Sequence, residues 1–308
     1  MPASNKIHQN KPLENISIAY KNGSYIADQV SPSVMVAHES DEYYVYDKSN
    51  LRLPETARAI GAEAHEMDWD VSTASYVLEA HALKHLVADR QRENADPALD
   101  MDVDATELLT DRILFKREKS LLDLIGTDGN WANESSLAAA ATWEKQTTTA
   151  SPIFNVDSAT STIIQNTGLK PNTLVMPYQV FQVAKENMNI VDRIKYTSAE
   201  SVSEAILAKL FNIDKVLVSA AINNSALEGA TASLGYVMTD NTWIGYVERS
   251  PGLKKPSAVY TMVKGPTPYE VKKWRVDERE GDMIEVQSKF VHKAVASDCG
   301  FLIVNCVG

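Results

Sequence analysis

Apolar residues recur at helical spacing along one long stretch, residues 105–125. They do not keep to a single stripe. Leu108, Phe115 and Leu122 form one row, Leu114, Leu121 and Ile125 a second, and Leu109, Ile113 and Leu124 a third. A helix with one buried face shows one apolar sector. The spacing therefore predicts a rod of roughly 30 Å with neighbours on several sides; an ordinary long core helix is the alternative that the pattern leaves open. Asp104, with Glu107 three residues on, supplies a capping box at its start, and Gly126 is placed to end it at positive φ. The charged run Lys116-Arg117-Glu118-Lys119 predicts a middle that is not fully buried.

Before the helix the pattern is sparse. Residues 1–33 are polar with scattered Ile, Leu and Tyr, too few for a core and too many for a plain linker, which describes an extended arm. Two β-prone runs follow, residues 34–46 and 71–78, separated by a long polar excursion through Leu51-Arg52-Leu53-Pro54-Glu55. Two strands with so long a connection predict a protruding hairpin with a task of its own.

After the helix, residues 130–149 read as an irregular bridge and residues 158–166 as a short helix. Thr173-Leu174-Val175-Met176 reads as a buried strand, with Pro177 opening a helix to residue 187. Ser201-Val202-Ser203-Glu204 opens another helix to residue 210, and residues 215–219 form the next strand. Helix and strand alternate here, an α/β arrangement. Toward the C-terminus, residues 269–276 and 283–295 are strands around a turn at Glu280-Gly281-Asp282. Ile284, Val286 and Phe290 alternate with Glu285, Gln287 and Lys289, so the second strand has one wet face. Phe301-Leu302-Ile303-Val304 is continuously apolar and reads as an interior strand.

Composition narrows the function. With 308 residues, 44% hydrophobic and 23% charged, the chain can bury a real core. A net charge of -11 disfavours a nucleic-acid binder, since neutralising phosphates takes clustered Lys and Arg. No run has the apolar length of a membrane span, and the first residues lack the apolar core of a signal peptide. The two cysteines, Cys299 and Cys306, lie in or beside one strand, too far apart along extended chain for a disulfide. They read as reduced thiols of a protein made in a cytosol.

Candidate chemistry is thin. His81 and His85 are four apart, but no third ligand is placed, so no metal site is expected. Asp100, Asp102 and Asp104 alternate without the glycine and glutamate of a calcium loop and read as helix-start aspartates. There is no glycine-rich phosphate loop, no glycine-flanked serine and no activated cysteine. No catalytic residue and no cofactor are expected.

Three stretches carry a resemblance. The first is Glu79-Ala-His-Ala-Leu-Lys-His-Leu-Val-Ala-Asp89-Arg90-Gln-Arg92-Glu-Asn-Ala95, running into the long helix. The second is Gly168-Leu-Lys-Pro-Asn-Thr-Leu-Val-Met-Pro177 with Val180-Phe181 and Asp192-Arg-Ile-Lys-Tyr196. The third is Leu210-Phe-Asn-Ile-Asp-Lys-Val-Leu-Val218, then Ser250-Pro-Gly252, Pro256-Ser257 and Tyr260-Thr261. In order and spacing these resemble the major capsid proteins of tailed bacteriophages, the family with the HK97-type shell fold. The resemblance implies an α+β chain with an N-terminal arm (1–33) and an extended loop (34–80). It further implies a peripheral domain on the spine helix (81–155 and 250–297) and an α/β axial domain (156–249 and 298–308). It implies self-assembly into hexamers and pentamers of an icosahedral head enclosing double-stranded DNA, in virions assembled in a host bacterial cytoplasm. A separate scaffolding protein, a portal and a decoration protein are implied as partners, and no membrane. Candidates for contacts between subunits are Leu51, Arg52, Leu53, Pro54, Glu79, Asp89, Arg90 and Arg92. Some relatives cross-link a loop lysine to a neighbouring asparagine. Lys48 lies in such a loop, but no partner is assignable and a single uncross-linked chain is expected. An encapsulin-like compartment shell of the same fold is the alternative, followed by a soluble α/β enzyme without a recognisable motif.

Overall fold

The computed structural model describes residues 25–46, 51–68, 71–95, 100–195, 202–227, 229–252, 254–265 and 269–308. Most of the arm, and Lys48, lie outside these. In chain order the elements begin with the one-turn helix α1 (Ala27–Val30), β1 (Ser33–Met35), the paired strands β2 (Ser40–Tyr46) and β3 (Val71–Val77), β4 (Glu79–Ala88), the short helix α2 (Asp89–Asn94) and the spine helix α3 (Met101–Gly126). Next come β5 (Glu134–Ser136), α4 (Pro152–Thr167), β6 (Thr173–Pro177), α5 (Tyr178–Glu186), α6 (Met188–Ile194), α7 (Glu204–Leu210) and β7 (Lys215–Ser219). The chain finishes with β8 (Ile222–Asn224), β9 (Leu234–Tyr236), β10 (Thr242–Gly245), β11 (Val259–Val263), β12 (Glu270–Val276), β13 (Gly281–Ala294) and β14 (Gly300–Val304).

The spine helix is longer than its apolar pattern predicts, at 26 residues or about 39 Å. Its cap is Asp100, whose carboxylate accepts from the amides of Asp102 (3.1 Å) and Val103 (3.2 Å), so Asp104 sits inside the first turn. Gly126 is its last residue and does not take positive φ. The open carbonyls at this end are closed by side chains instead. Asn130 donates to Leu124, the Trp131 indole to Ile125 and Asn241 to Gly126.

Burial on the helix also differs from the three expected rows. Ala105, Leu109, Ile113, Arg117, Leu121 and Ile125 form one stripe at four-residue spacing, widened by Glu118 and Leu122. Leu108 is 55% exposed, and Leu114 and Phe115 are half-buried. What changes along the stripe is the partner. Ala105, Leu109 and Ile113 pack with Val87, Ile284 and Val286, whereas Leu121, Leu122 and Ile125 pack with Val30, Trp131, Val175 and Trp243. The helix is a girder because it joins two cores end to end.

The first of those cores lies on a sheet of order β1-β11-β13-β12, with β4 on the other edge of β13. The long strand β13 is its hub. Along one edge it pairs with β12 and then with β11, and along the other with β4. Ile284, Val286, Ser288, Phe290 and His292 are buried, while Glu285, Gln287 and Lys289 on the opposite face stay half-exposed. The alternation expected for this strand is therefore present.

The second sheet has the order β5-β14-β10-β6-β7, with β6–β7 and β14–β5 parallel. Leu174 and Met176 of β6 face α4 to α7, and Val175 faces the C-terminal half of the spine helix. Helices on both faces leave no wet side, which is why β6 and β14 read as continuous apolar runs. Gly245 and Gly300 face each other across β10 and β14. A Cβ on Gly245 would stand 2.3 Å from the Trp243 ring, and one on Gly300 2.3 Å from Trp131. The two glycines make room for the tryptophan pair, whose rings are 5.4 Å apart.

Candidate assembly surfaces

The hairpin expected between residues 34 and 78 is present: β2 pairs antiparallel with β3 from Ser40↔Val77 to Tyr46↔Val71. Its base is anchored. Tyr76 and Leu78 are buried against Met262, with Val36, Tyr43 and Val291 around them. The Glu39 carboxylate takes an ammonium from each of two strands, Lys264 at 3.0 Å and Lys289 at 2.6 Å. The hydrogen bond from Lys289, then that from Lys264, hold its pKa down at about 2.

Beyond the base the hairpin leaves the body of the protein. Among residues 51–68 all but Pro54 are exposed, with Leu51 at 70% and Leu53 at 88%. Tyr44, Val71 and Val77 add an exposed apolar stripe on one face of the ribbon, since directly paired residues and their i+2 neighbours share a face. Nothing in the described chain covers this stripe. Burying one such leucine contributes roughly 1.5–3 kcal/mol, stabilisation that this chain leaves unused here.

The charged candidates fare differently. Arg275 of β12 makes a two-pronged contact with Asp89 (2.7 and 2.5 Å). Arg92 reaches Asp102 (2.8 Å), Asp282 (3.0 Å) and Asp89 (3.3 Å), and Lys273 reaches Asp102 (2.8 Å). This network ties α2, the start of the spine helix and the β12–β13 hairpin together. The Arg275 hydrogen bond holds Asp89 below the usual carboxylate range, and Lys273 and then Arg92 do the same for Asp102. Asp89 and Arg92 thus already have partners within the chain. Arg90 is exposed, and Glu79 is exposed beside His81 at 3.5 Å.

His81 and His85 lie on strand β4 rather than on a helix. Among the described residues no group of three or more His, Cys, Asp or Glu side chains is placed to hold a metal, and no helix is long and apolar enough to cross a membrane. Cys299 and Cys306 are both buried. Burial pushes the Cys306 thiol up to about 12.

Two further surfaces were not legible in the sequence. Strand β12 is a sheet edge exposed along nearly its whole length, Val271 and Trp274 included. The β8–β9 ribbon forms a separate two-stranded sheet carrying exposed Leu227 and Leu234. Neither carries a periodic signal: the apolar residues of β12, Val271, Trp274 and Val276, do not keep to one face.

No protein-family model matches the chain. It is 25% identical over 303 residues to the major capsid protein of Burkholderia phage BcepMu, covering 96% of each sequence. It is 27% identical over 227 residues to that of Pseudomonas phage JBD67, covering 72% of each. Among solved structures, a phage-related protein from Bordetella bronchiseptica superposes with a TM-score of 0.74 at 22% identity over 93% of both chains. The capsid structure of cyanophage P-SCSP1u gives 0.65 at 11% identity, covering 94% of this chain and 90% of that one. The SrpI encapsulin of Synechococcus elongatus gives 0.56 at 11%, covering 96% and 95%. The fold is thus common to phage heads and to encapsulin shells, and the near full-length sequence match lies with phages. The chain therefore has the HK97-type fold and is similar, over nearly its full length, to phage major capsid proteins.

Proposed function

We propose that the chain is the repeating subunit of a phage head, closing as hexamers and pentamers into an icosahedral shell around double-stranded DNA. The observation that carries this beyond the family match is the hairpin: an anchored base and a long exposed extension whose apolar residues find no cover in their own chain. In a closed shell each copy supplies the surface that the next one lacks, so a weak contact is multiplied by symmetry. The net charge of -11 suits a container that should not grip its contents. A scaffolding protein, a portal and a decoration protein are the partners such a head calls for, with assembly in the host cytoplasm. The work of the protein is assembly, and no residue is assigned a catalytic role.

Within this reading the first sheet and the N-terminal part of the spine helix form the peripheral domain, and the second sheet with α4 to α7 the axial domain. Strand β5 pairs with β14 and β1 with β11. On this reading residues 134–136 go with the axial domain and residues 33–35 with the peripheral domain. Leu51, Arg52, Leu53 and Pro54 are the leading contact residues, followed by Glu79 and Arg90. Asp89 and Arg92 contribute by holding the peripheral domain in shape.

The test is to replace residues 47–70 with a short Gly/Ser turn and examine the product by negative-stain microscopy. A soluble subunit with the parent's circular dichroism and no closed particles is expected. Normal shells, or outright misfolding, would overturn the assignment of this loop as the latch between subunits.

A further inference from the structure

Polar side chains meet inside the protein where the segment before β1 crosses the spine helix. Ser31, Arg117, Glu118, Thr261 and His292 are each at most 8% exposed. Glu118 accepts hydrogen bonds from the amides of Ile26 (2.9 Å) and Ala27 (2.7 Å). Arg117 extends to Asp28 (2.7 Å) and donates to the Ser33 hydroxyl (2.8 Å). His292 joins both sides. Its Nε2 lies 3.0 Å from the Arg117 carbonyl oxygen, and its Nδ1 lies 2.8 Å from Thr261 Oγ1. Thr261 Oγ1 is in turn 2.6 Å from Ser31 Oγ and 3.3 Å from the Ser31 carbonyl oxygen.

The proton positions follow from the partners. A carbonyl can only accept, so Nε2 carries the hydrogen and Nδ1 has a lone pair. The Thr261 hydroxyl then donates to Nδ1, and its oxygen accepts from the Ser31 hydroxyl. Every proton in this chain is placed for a neutral imidazole. A second imidazole proton would face Thr261 Oγ1 and turn that hydroxyl away from Nδ1 toward the longer 3.3 Å contact with the Ser31 carbonyl oxygen, exchanging a short hydrogen bond for a long one.

We propose that the Ser31–Thr261–His292 chain is an acid-sensitive latch that fastens residues 25–35, the base of the N-terminal arm, to the spine helix and the first sheet, and that protonating His292 releases it. The surroundings favour this outcome. On the spine helix, the Arg117 guanidinium repels an imidazolium at His292, and the neighbouring Glu118 is already bonded to two amides. On α1, Asp28 has its side chain 72% exposed and is already paired with Arg117. From β4, His292 faces His81, whose ring lies 4.7 Å from Phe290, itself 5.4 Å from His292. Lys289 and Lys293 of β13 point to the opposite face. A new positive charge here meets the Arg117 guanidinium and little water.

The direction with pH is fixed by the two end states. Burial, outweighing the hydrogen bond to the Arg117 carbonyl, pushes His292 down to about 4, whereas a released ring titrates near 6.5. The latch is therefore at full strength above pH 6.5 and weakens as pH falls toward 4. Linkage puts the loss between pH 8 and pH 5.5 at up to about tenfold in the latching equilibrium. Glu118 opposes it. Burial raises its pKa against the two amide donors, so its protonation favours the latched form on acidification.

Hydrogen exchange on the full chain at pH 8 and pH 5.5, both above the isoelectric point near 5.1, tests the latch. Residues 26–36, corrected for intrinsic rates and normalised to strand β6, should lose up to about tenfold protection on acidification. H292Q, whose amide can still donate to the Arg117 carbonyl, should show no such loss, and E118Q should show a steeper one. An unchanged ratio in the parent, or the same loss in H292Q, overturns the proposal. Should H292Q not fold, a histidine NMR titration of the parent decides. A ring titrating near 4 while protection declines supports the latch, and one titrating near 6.5 with residues 26–36 still protected overturns it. None of these readouts requires particles to form, so the latch and the assembly role fail separately.

Discussion

Strands β6 and β12 are both short, and their surroundings are opposite. Every residue of Thr173–Pro177 is buried, between the helices α4 to α7 and the spine helix. Nearly every residue of Glu270–Val276 is exposed on a sheet edge, as is almost the whole of residues 51–68. The second sheet is complete within one chain. The edge strand and the hairpin are folded by the chain but not covered by it. In the proposed shell subunit this is a division of labour: one region stabilises the monomer, and the other is left for a second copy to cover.

The comparison breaks if the two regions respond alike to truncation. Leu121 is fully buried where the spine helix meets the second sheet. Leu121→Ala should cost about 3 kcal/mol in a denaturant titration of the isolated subunit. Leu53→Ala should stay within about 0.5 kcal/mol of the parent while lowering particle yield. Equal stability losses would place Leu53 in a core.

A somewhat smaller effect is expected from Gly300→Ala, whose new methyl group would collide with the Trp131 ring. Overpacking of this kind costs about 1–3 kcal/mol, and near-ultraviolet circular dichroism should register the displaced tryptophan. An unchanged spectrum would mean that the pocket is loose.

Electrostatics in the exposed region should matter less. Arg275→Ala removes the two-pronged contact to Asp89 and should lower the melting temperature modestly. The difference from the parent should shrink in molar salt, because these side chains are about half exposed and screened. A salt-independent loss would point to packing by the arginine stem instead.

The smallest effect belongs to the hairpin base. The carboxylate of Glu39 has a pKa of about 2, so its pairing with Lys264 and Lys289 is fully present above about pH 4.5 and lost as pH falls toward 2. Limited proteolysis of residues 40–77 should therefore separate the parent from Glu39→Gln at neutral pH and converge at acid pH. A gap that persisted at pH 2 would show that charge is not what holds the base.

Several elements could be read directly from the chain. Strands β6, β7 and β14 fall at or within a residue of their expected places, because a run buried on both faces is apolar at every position. The one-sided alternation of β13 was equally legible, since period two needs no knowledge of the partner, whereas the β-prone run at 34–46 divides into β1 and β2. Where the signal is not periodic, the reading slipped. The spine helix begins at Met101 because Asp100 caps it, and it ends through side chains that arrive from Asn130, Trp131 and Asn241 rather than through Gly126. Helix α4 begins at Pro152, six residues earlier than its apolar spacing suggested, after a Ser151 cap.

The charged run Lys116-Arg117-Glu118-Lys119 shows most plainly where sequence stops and tertiary structure begins. From the residues alone it belongs on a solvated face, and Lys116 and Lys119 are at least partly there. Arg117 and Glu118 are buried because another part of the chain, about 90 residues away, supplies backbone amides and a carboxylate to meet them. Sequence by itself determined the long helix, strands β6, β7, β13 and β14 and the projecting loop, because local periodicity and hydrophobicity are properties of neighbours along the chain. Only the tertiary structure decided which charges are interior, which candidates for contact are already paired, and that a neutral histidine closes the base of the arm. Those outcomes depend on partners that are distant in sequence and adjacent only once the two sheets have docked on the spine helix.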